Sequence, residues 1–288
     1  MSSMSLEQQA FQMGVNGFCI LEKVIPAALC YEIRNRIIET VEREHLNYET
    51  GRMASRNGVG FTPSIINHDQ SFAAYLADSR VLAIVSRLLG ENIRISFTSA
   101  IINYPGNERG GWHADWPFNQ NNAGHLTSPY PDTVMHVTTL WMLSPFEREN
   151  GGTLIMPGSH RWSTNPTAVD GPDPLSIFPA EINITGSAGS VLVMDSRTWH
   201  ATAANLDTEP RVALAVRYAP WWLNLEVLRP GSEDRQRMLD ATGKTDNTVP
   251  SIRRDVWKNL PSTVQTLYEH WSEPLSISES RVAGGTSD

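Results

Sequence analysis

The pattern of hydrophobic and polar positions changes twice along this chain of 288 residues and divides it into three zones. Residues 1–90 mostly repeat apolar positions with the period of an α-helix, with one short strand among the helices. Residues 91–222 carry short apolar runs separated by turn residues, which is typical of β-strands. Residues 223–275 return to the helical period, and the polar residues 276–288 predict a disordered tail.

Individual elements can be placed within these zones. Ser5, with an acid in the turn that follows it, predicts the start of a short helix. Residues 47–69 combine glycine and polar residues without a period, which predicts a long loop. Further helices are predicted at residues 27–44, 71–89, 232–239 and 253–270. Strands are predicted at residues 17–21, 93–104, 133–143, 152–156, 180–184, 190–194 and 211–218.

The order of these elements favours one domain that covers residues 1–288. The sequence shows no internal repeat and no linker, and 40% hydrophobic residues over this length can bury a large single core. Many short strands with helices at both ends predict a mainly β fold with flanking helices, either a sandwich or a barrel.

Composition narrows the compartment and the partners. Two cysteines, Cys19 and Cys30, are too few for a disulfide framework and favour a reducing compartment. The N-terminal residues lack a basic start followed by an apolar core, and no apolar run approaches the roughly 18 residues of a membrane span. The net charge of −8 argues against non-specific binding to nucleic acid. These features predict a cytoplasmic protein with no nucleic-acid or membrane partner, and they leave its oligomeric state open.

The candidate chemistry lies in a His-x-Asp motif and a later histidine. His113 and Asp115 follow a predicted strand, and residues two apart in extended backbone point to the same side. His200 ends a second predicted strand. Two imidazoles and one carboxylate form the ligand set of a non-haem Fe(II) site, which leaves three coordination positions open. These three residues are therefore the candidate metal ligands and the candidate catalytic centre.

Arg211 adds a cation that a bare metal site does not need. It follows a turn-rich segment after His200 and begins a predicted strand. If the strands around His200 and Arg211 form a hairpin, Thr202 lies opposite Arg211 and His200 opposite Ala213, so that all four share one face. Arg211 is then placed to bind the far carboxylate of a small diacid on the metal. A surface ion pair is the alternative interpretation.

Three segments carry a resemblance to a known family. HADW at 113–116, ENGGTLIMPGSHR at 149–161 and WHATAANLDTEPRVALAVRYAPWW at 199–222 resemble the phytanoyl-CoA dioxygenase-like (PhyH) family of Fe(II)/2-oxoglutarate-dependent oxygenases. The resemblance extends over about residues 5–225 and implies a double-stranded β-helix, or jelly roll. It also implies site residues: His113, Asp115 and His200 as iron ligands, and Arg211 and Thr202 as the residues that bind 2-oxoglutarate.

The activity that the resemblance implies is oxidation of a C–H bond in a small organic substrate, with release of succinate and CO2. Fe(II) is then the cofactor, and 2-oxoglutarate and O2 are the cosubstrates. Asp115 favours hydroxylation or a related oxidation, because halogenases of this wider class lack the carboxylate. A non-oxidative, cupin-like metalloenzyme on the same scaffold stays open as an alternative, although Arg211 and Thr202 count against it. A non-catalytic binding module is disfavoured by the intact ligand set.

The sequence constrains the substrate less. Arg217 lies on the same predicted strand face as Arg211, so it binds either an anionic group of the substrate or an acid within the protein. Trp116 and Trp141 either wall a substrate pocket or pack in the core. Residues 47–69 and 118–132 form either a lid over the metal or ordinary surface loops.

Overall fold

Nine strands form two antiparallel sheets in the computed structural model, which describes residues 4–46, 59–244 and 248–274. The strands are β1 (Phe18–Leu21), β2 (Val59–Pro63), β3 (Ile93–Asn103), β4 (Val137–Met142), β5 (Thr153–Ile155), β6 (Ile182–Ile184), β7 (Val191–Asp195), β8 (His200–Thr202) and β9 (Arg211–Pro220). The large sheet has the order β1-β7-β4-β9-β3-β2, and the small sheet has the order β6-β5-β8. This is a mainly β fold with flanking helices, as the sequence predicts, and it is a jelly roll.

Helices flank the strands on the N-terminal and C-terminal sides of the chain. They are α1 (Leu6–Asn16), α2 (Ala27–Arg43), α3 (Ser79–Leu89), α4 (Glu233–Thr242), α5 (Arg254–Asn259) and α6 (Ser262–Tyr268). The apolar side chains of α2, α3 and α6 join one core with the strands of this sheet. Strands β4, β7 and β9 lie at the centre of the sheet, and both of their faces are covered. Their sequences are therefore nearly continuous apolar runs.

Two predicted helices are interrupted for local reasons. Residues 73–77 form a 3-10 turn, and α3 begins only after Asp78, whose carboxylate accepts from the backbone N–H groups of Arg80 and Val81. The predicted helix at 253–270 is divided at Pro261, since proline has no N–H for a continuing helix. The start at Ser5 is confirmed, because its hydroxyl and the Gln8 side chain form a capping box. No helix in the described ranges is long and apolar enough to span a bilayer.

The prediction of one loop over residues 47–69 is wrong for its second half. Residues 59–63 form β2, which pairs antiparallel with β3 at the edge of the large sheet, and residues 65–67 form a 3-10 turn. Residues 47–58 lie outside the described residues, as does the predicted disordered tail at 276–288. The N-terminal zone therefore supplies both edge strands of the large sheet, β1 and β2, as well as helices.

The hairpin predicted between His200 and Arg211 is also wrong. His200 and Thr202 lie on β8, which pairs with β5 in the small sheet, so that Thr202 is opposite Thr153. Arg211 begins β9, which pairs with β3 and β4 in the large sheet. The turn-rich segment between them crosses from one sheet to the other. His200, Thr202 and Arg211 therefore face one space between the two sheets instead of sharing one hairpin face.

The turn that enters β7 yields a test of this packing. Gly189 has a φ of +88°, its carbonyl accepts from the N–H groups of Val24 and Ile25, and an added Cβ would lie 2.0 Å from the Ile25 carbonyl oxygen. We expect Gly189→Ala to lower the free energy of unfolding by about 3 kcal/mol or more, since a left-handed residue costs roughly 1–2 kcal/mol and a core clash adds a comparable amount. Chemical denaturation measures this change.

Gly106→Ala is the matched control. Gly106 also has a positive φ, +78°, but an added Cβ there meets nothing within 4 Å. Its cost should be limited to the left-handed conformation, about 1–2 kcal/mol. Equal losses in the two variants would contradict the proposed contact with Ile25.

Candidate metal centre

A cavity of about 730 Å³ opens between the two sheets. The large sheet contributes inward side chains of β3, β4 and β9, and the small sheet contributes Thr153 and the residues of β8. His113, Asp115 and Trp116, on the segment that follows β3, form a further part of its wall. Seven of the eight site residues named from the sequence therefore lie on this cavity, and Trp141 does not.

His113, Asp115 and His200 come together in the cavity. One ligand atom from each lies within 4.8 Å of the other two. Backbone pairing produces this arrangement: the His113 N–H donates to the His200 carbonyl at 3.0 Å, and the His200 N–H donates to the His113 carbonyl at 2.9 Å. The isolated bridge extends the small sheet by one position and sets the two imidazole rings 4.2 Å apart, centre to centre.

Both imidazoles direct Nε2 toward the place where the three ligand atoms converge. His113 Nδ1 lies 3.0 Å from the Gly111 carbonyl oxygen, and His200 Nδ1 lies 2.9 Å from the Thr198 carbonyl oxygen. A carbonyl accepts only, so each Nδ1 carries a hydrogen, and Nε2 is the nitrogen left to bind a metal. Fixing the tautomer through the second nitrogen is how proteins usually orient histidine ligands. Burial, together with nearby His113, lowers the pKa of His200 to about 4, so that this ring is neutral at pH 7.

The Asp115 carboxylate supplies a negative charge at the same point. Burial opposes its ionisation, but the Arg217 guanidinium and the two histidines hold the pKa of Asp115 well below its usual range. Its Oδ2 lies 3.7 Å from His200 Nε2 and accepts a hydrogen bond from the Thr138 hydroxyl at 2.6 Å. Two imidazole nitrogens and one carboxylate fit a divalent transition metal of the Fe(II) class.

Arg211 provides a buried cation in the same cavity. Its side chain stacks over Phe146, with the guanidinium carbon 4.7 Å from the ring centre, and its Nε donates to the Gly151 carbonyl at 2.9 Å. The residue is 3% exposed, and burial lowers the pKa of Arg211 to about 10. Among the described residues no carboxylate pairs with it. The remaining guanidinium donors therefore lie in a cavity that suits an anion.

Thr202 lines the cavity as the sequence predicts, and Thr153 lies beside it. The two residues are paired in the register of β5 and β8, and both belong to the cavity wall. Sequence analysis did not identify Thr153, because the pairing of β8 with β5 places it there. A second hydroxyl is thus available on the wall that faces the large sheet.

Arg217 and the two tryptophans divide into three cases. Arg217 pairs with Asp115, so that of the two predicted partners, a substrate anion and an acid within the protein, the structure has the acid. Trp116 lines the cavity and packs edge-on against His136, with ring centres 5.4 Å apart. The prediction that Trp141 contacts substrate is wrong. Thr138 and Leu140 line the cavity, so Trp141 points to the opposite face of β4, where its indole N–H donates to the Thr139 hydroxyl.

Part of the segment 118–132 covers the cavity. Asn119 and Asn122 line it, while the Phe118 carbonyl accepts from Asn165 and the Pro131 carbonyl accepts from Arg197. The segment is therefore fixed to the protein at both ends. Whether it closes as a lid stays a prediction, as does the role of residues 47–58, which lie outside the described residues.

The chain matches the phytanoyl-CoA dioxygenase (PhyH) family over residues 13–213, which is more than half of its length. It is 34% identical over 146 residues to dioxygenase af480 of Aspergillus fumigatus, covering 50% of this chain and 43% of that protein.

Two solved structures share the fold. EctD from S. alaskensis in its apoform has a TM-score of 0.60 at 20% identity, with 75% of this chain and 77% of that chain covered. HygX from Streptomyces hygroscopicus, solved with nickel and 2-oxoglutarate bound, has a TM-score of 0.56 at 16% identity, with 77% and 89% covered.

Metal binding can be tested on the three ligands. We expect His113→Ala, Asp115→Ala and His200→Ala each to weaken Co(II) binding by more than the roughly 10–100-fold that loss of an outer hydrogen-bond partner costs. Isothermal titration calorimetry measures this affinity, and circular dichroism checks that the fold is retained. His125→Ala is the control, because His125 lies outside the cluster and contacts the Asn122 carbonyl. A folded ligand variant with parent affinity would remove that residue from the set.

Proposed function

Since this chain belongs to the phytanoyl-CoA dioxygenase (PhyH) family, we propose that His113, Asp115 and His200 hold the iron of a 2-oxoglutarate-dependent dioxygenase and that Arg211 binds its 2-oxoglutarate. The family supplies the reaction class. The residue roles are supported by the cluster of three ligand atoms and by the buried cation that lies with it on one cavity.

His113, Asp115 and His200 would hold the metal from the side on which their ligand atoms converge. Fe(II) bound there with 2-oxoglutarate would supply the O2 chemistry that oxidises a substrate C–H bond and releases succinate and CO2. The protein's part is to orient the two imidazoles through the Gly111 and Thr198 carbonyls and to keep Asp115 ionised. Asp115, His200 and Arg211 are buried, so water screens the electrostatic interactions of these side chains only weakly.

The main support for this proposal is the buried guanidinium of Arg211. A buried guanidinium without a carboxylate partner among the described residues is costly unless a ligand supplies one. The far carboxylate of 2-oxoglutarate meets that need, and the hydroxyls of Thr202 and Thr153 are placed to donate to it as well. A non-oxidative metalloenzyme, the alternative, has no use for such a cation beside its metal.

The substrate is a small organic molecule, and the cavity wall supports a more specific proposal. Phe61 and Phe97 are stacked, with ring centres 5.6 Å apart, and Leu228 and Val249 add apolar surface. Arg217 is engaged by Asp115, so an anionic group on the substrate is not needed to compensate its charge. We therefore propose a substrate that presents an apolar, uncharged portion to the metal.

Location stays a prediction. Cys19 and Cys30 are both free, buried thiols, and burial raises the pKa of Cys19 to about 12. Thiols of this kind are consistent with the proposed cytoplasmic location.

The reaction class has a direct test. Anaerobic addition of Fe(II) and 2-oxoglutarate to the protein should give a weak visible charge-transfer band, since the cosubstrate's keto acid group chelates the iron. Admission of O2 should then convert 2-oxoglutarate to succinate in an iron-dependent manner. Absence of both the band and succinate in protein that binds the metal would favour the non-oxidative alternative.

The role of Arg211 is tested by Arg211→Met, which keeps the length that packs on Phe146. We expect the KM for 2-oxoglutarate to rise roughly 10–100-fold, because hydrogen bonds to a charged group are worth about 1.5–3 kcal/mol. Affinity for Co(II) alone should fall by much less. Arg87→Met is the control, since Arg87 is an exposed arginine on α3. An unchanged requirement for 2-oxoglutarate would assign the buried cation to another ligand.

A further inference from the structure

Both oxygens of the Asp115 carboxylate are held by neighbouring side chains. Oδ1 accepts from Nη2 of Arg217, and Oδ2 accepts from the Thr138 hydroxyl at 2.6 Å. The Asp115 side chain is 4% exposed, so water does not compete for these bonds. We call Arg217 and Thr138 the carboxylate clamp.

The clamp distinguishes the two oxygens. Oδ2 lies 3.7 Å from His200 Nε2, on the side where the ligand atoms converge. A carboxylate oxygen has two acceptor sites, so Oδ2 can accept from Thr138 and still bind a metal. Oδ1 is instead occupied by a guanidinium, which is itself a cation and repels a metal ion.

A chain of buried hydrogen bonds fixes the direction of the Thr138 hydroxyl. Its oxygen lies 2.9 Å from the Ser196 hydroxyl, Ser196 lies 2.8 Å from His136 Nδ1, and His136 Nε2 lies 2.8 Å from the Ser96 hydroxyl. An ionised carboxylate cannot donate, so Thr138 must donate to Asp115. Thr138 then accepts from Ser196, Ser196 accepts from His136, and His136 accepts from Ser96.

This order requires a neutral His136 with its hydrogen on Nδ1. Burial lowers the pKa of His136 to about 3, with nearby Arg217 adding to the effect, so the ring is neutral at pH 7. Each hydroxyl has one hydrogen to give, and Ser96 gives its hydrogen to His136 at 2.8 Å rather than to the more distant Arg217 carbonyl at 3.3 Å. With Ser96 donating to His136, the other bonds of the chain leave the Thr138 hydrogen for Asp115.

The sheet positions the clamp. Thr138 on β4 is the register partner of Arg217 on β9, so the two side chains emerge side by side on the cavity face. The Arg217 guanidinium lies over the Phe97 ring, 4.4 Å from its centre, which limits its movement. A β-bulge between Ile95 and Phe97 turns Ser96 toward His136 at the end of the chain.

We propose that Arg217 and Thr138 are positioning residues that restrict Asp115 to one-oxygen ligation of the metal through Oδ2. The inference rests on the proposed function, because it concerns the metal that His113, Asp115 and His200 hold. Arg217 lies beyond residue 213, where the family match ends.

The consequence concerns the positions opposite the ligands. A carboxylate that is free to rotate can present both oxygens to a metal and occupy a second position. With 2-oxoglutarate taking two of the three open positions, that second oxygen would compete with O2 for the last one. Holding Oδ1 on Arg217 keeps this position available.

Nitric oxide is a probe for the last position that does not depend on turnover. Parent and variant proteins are loaded anaerobically with Fe(II) and 2-oxoglutarate, and nitric oxide is titrated while its iron complex is followed by absorption and electron paramagnetic resonance. We expect Arg217→Met and Thr138→Val to bind nitric oxide about tenfold more weakly than the parent, in the range seen when outer partners of a ligand are removed. Binding of 2-oxoglutarate should change little.

Two further variants separate positioning from stability. Arg217→Lys keeps the charge and one donor, and it should recover part of the loss. Thr139→Val removes a buried hydroxyl from the opposite face of the same strand, where it donates to the Val216 carbonyl and accepts from Trp141. This control should lower the melting temperature and leave nitric oxide binding at the parent level.

Parent-like nitric oxide binding in both Arg217→Met and Thr138→Val would overturn the proposal. Weakened binding in Thr139→Val to the same extent would overturn it too, since the effect would then be general loosening of the sheet. If the parent itself binds Fe(II) but no 2-oxoglutarate, the proposed function fails first, and that result is visible before nitric oxide is added. Thr138→Val changes little volume and serves if Arg217→Met does not fold.

Discussion

Two backbone hydrogen bonds between His113 and His200 are the constraint on which the rest of the site depends. They join a segment that leaves the large sheet after β3 to β8 in the small sheet, and they set both imidazoles over one point. The bond from the Asp115 N–H to the Ser196 carbonyl, 2.8 Å long, continues the same contact and brings the carboxylate to that point. The ligand geometry is thus a property of strand pairing, which is more rigid than a loop.

Two kinds of polar group surround the metal ligands inside the apolar core. Backbone carbonyls orient the histidines, while side chains orient the carboxylate. The side chains on the carboxylate side are almost completely buried: Thr138, Ser196 and His136. Leaving any of them without a hydrogen bond would lower the stability of the fold. Because each one depends on the next for its hydrogen bond, the group is stable only as a whole.

The sequence predicted what depends on local pattern. The strand pattern predicted seven of the nine described strands in outline, and the His-x-Asp spacing identified residues that the fold brings together. Partner choice was not predictable in the same way. The turn-rich segment after His200 looks like a hairpin, yet it crosses between sheets, because the apolar faces of β8 and β9 belong to different layers. Trp141 was assigned to the wrong face of β4, because side chains alternate between the two faces of a strand. The roles of Thr138 and Ser96 could not be predicted from the sequence, since they depend on strand register and on a β-bulge.

The buried Arg211 also makes the two small ligands dependent on each other. With the histidines neutral, as metal ligation requires, the ionisable side chains described on the cavity wall leave one net positive charge: Asp115 is matched by Arg217, and Arg211 is left over. A dication alone adds to that excess and a dianion alone reverses it, while the two together leave it unchanged. Reciprocity of linkage then requires the metal and the diacid each to raise the affinity for the other, by a coupling of the order of 1–3 kcal/mol. The cavity favours a neutral pair over either ion by itself.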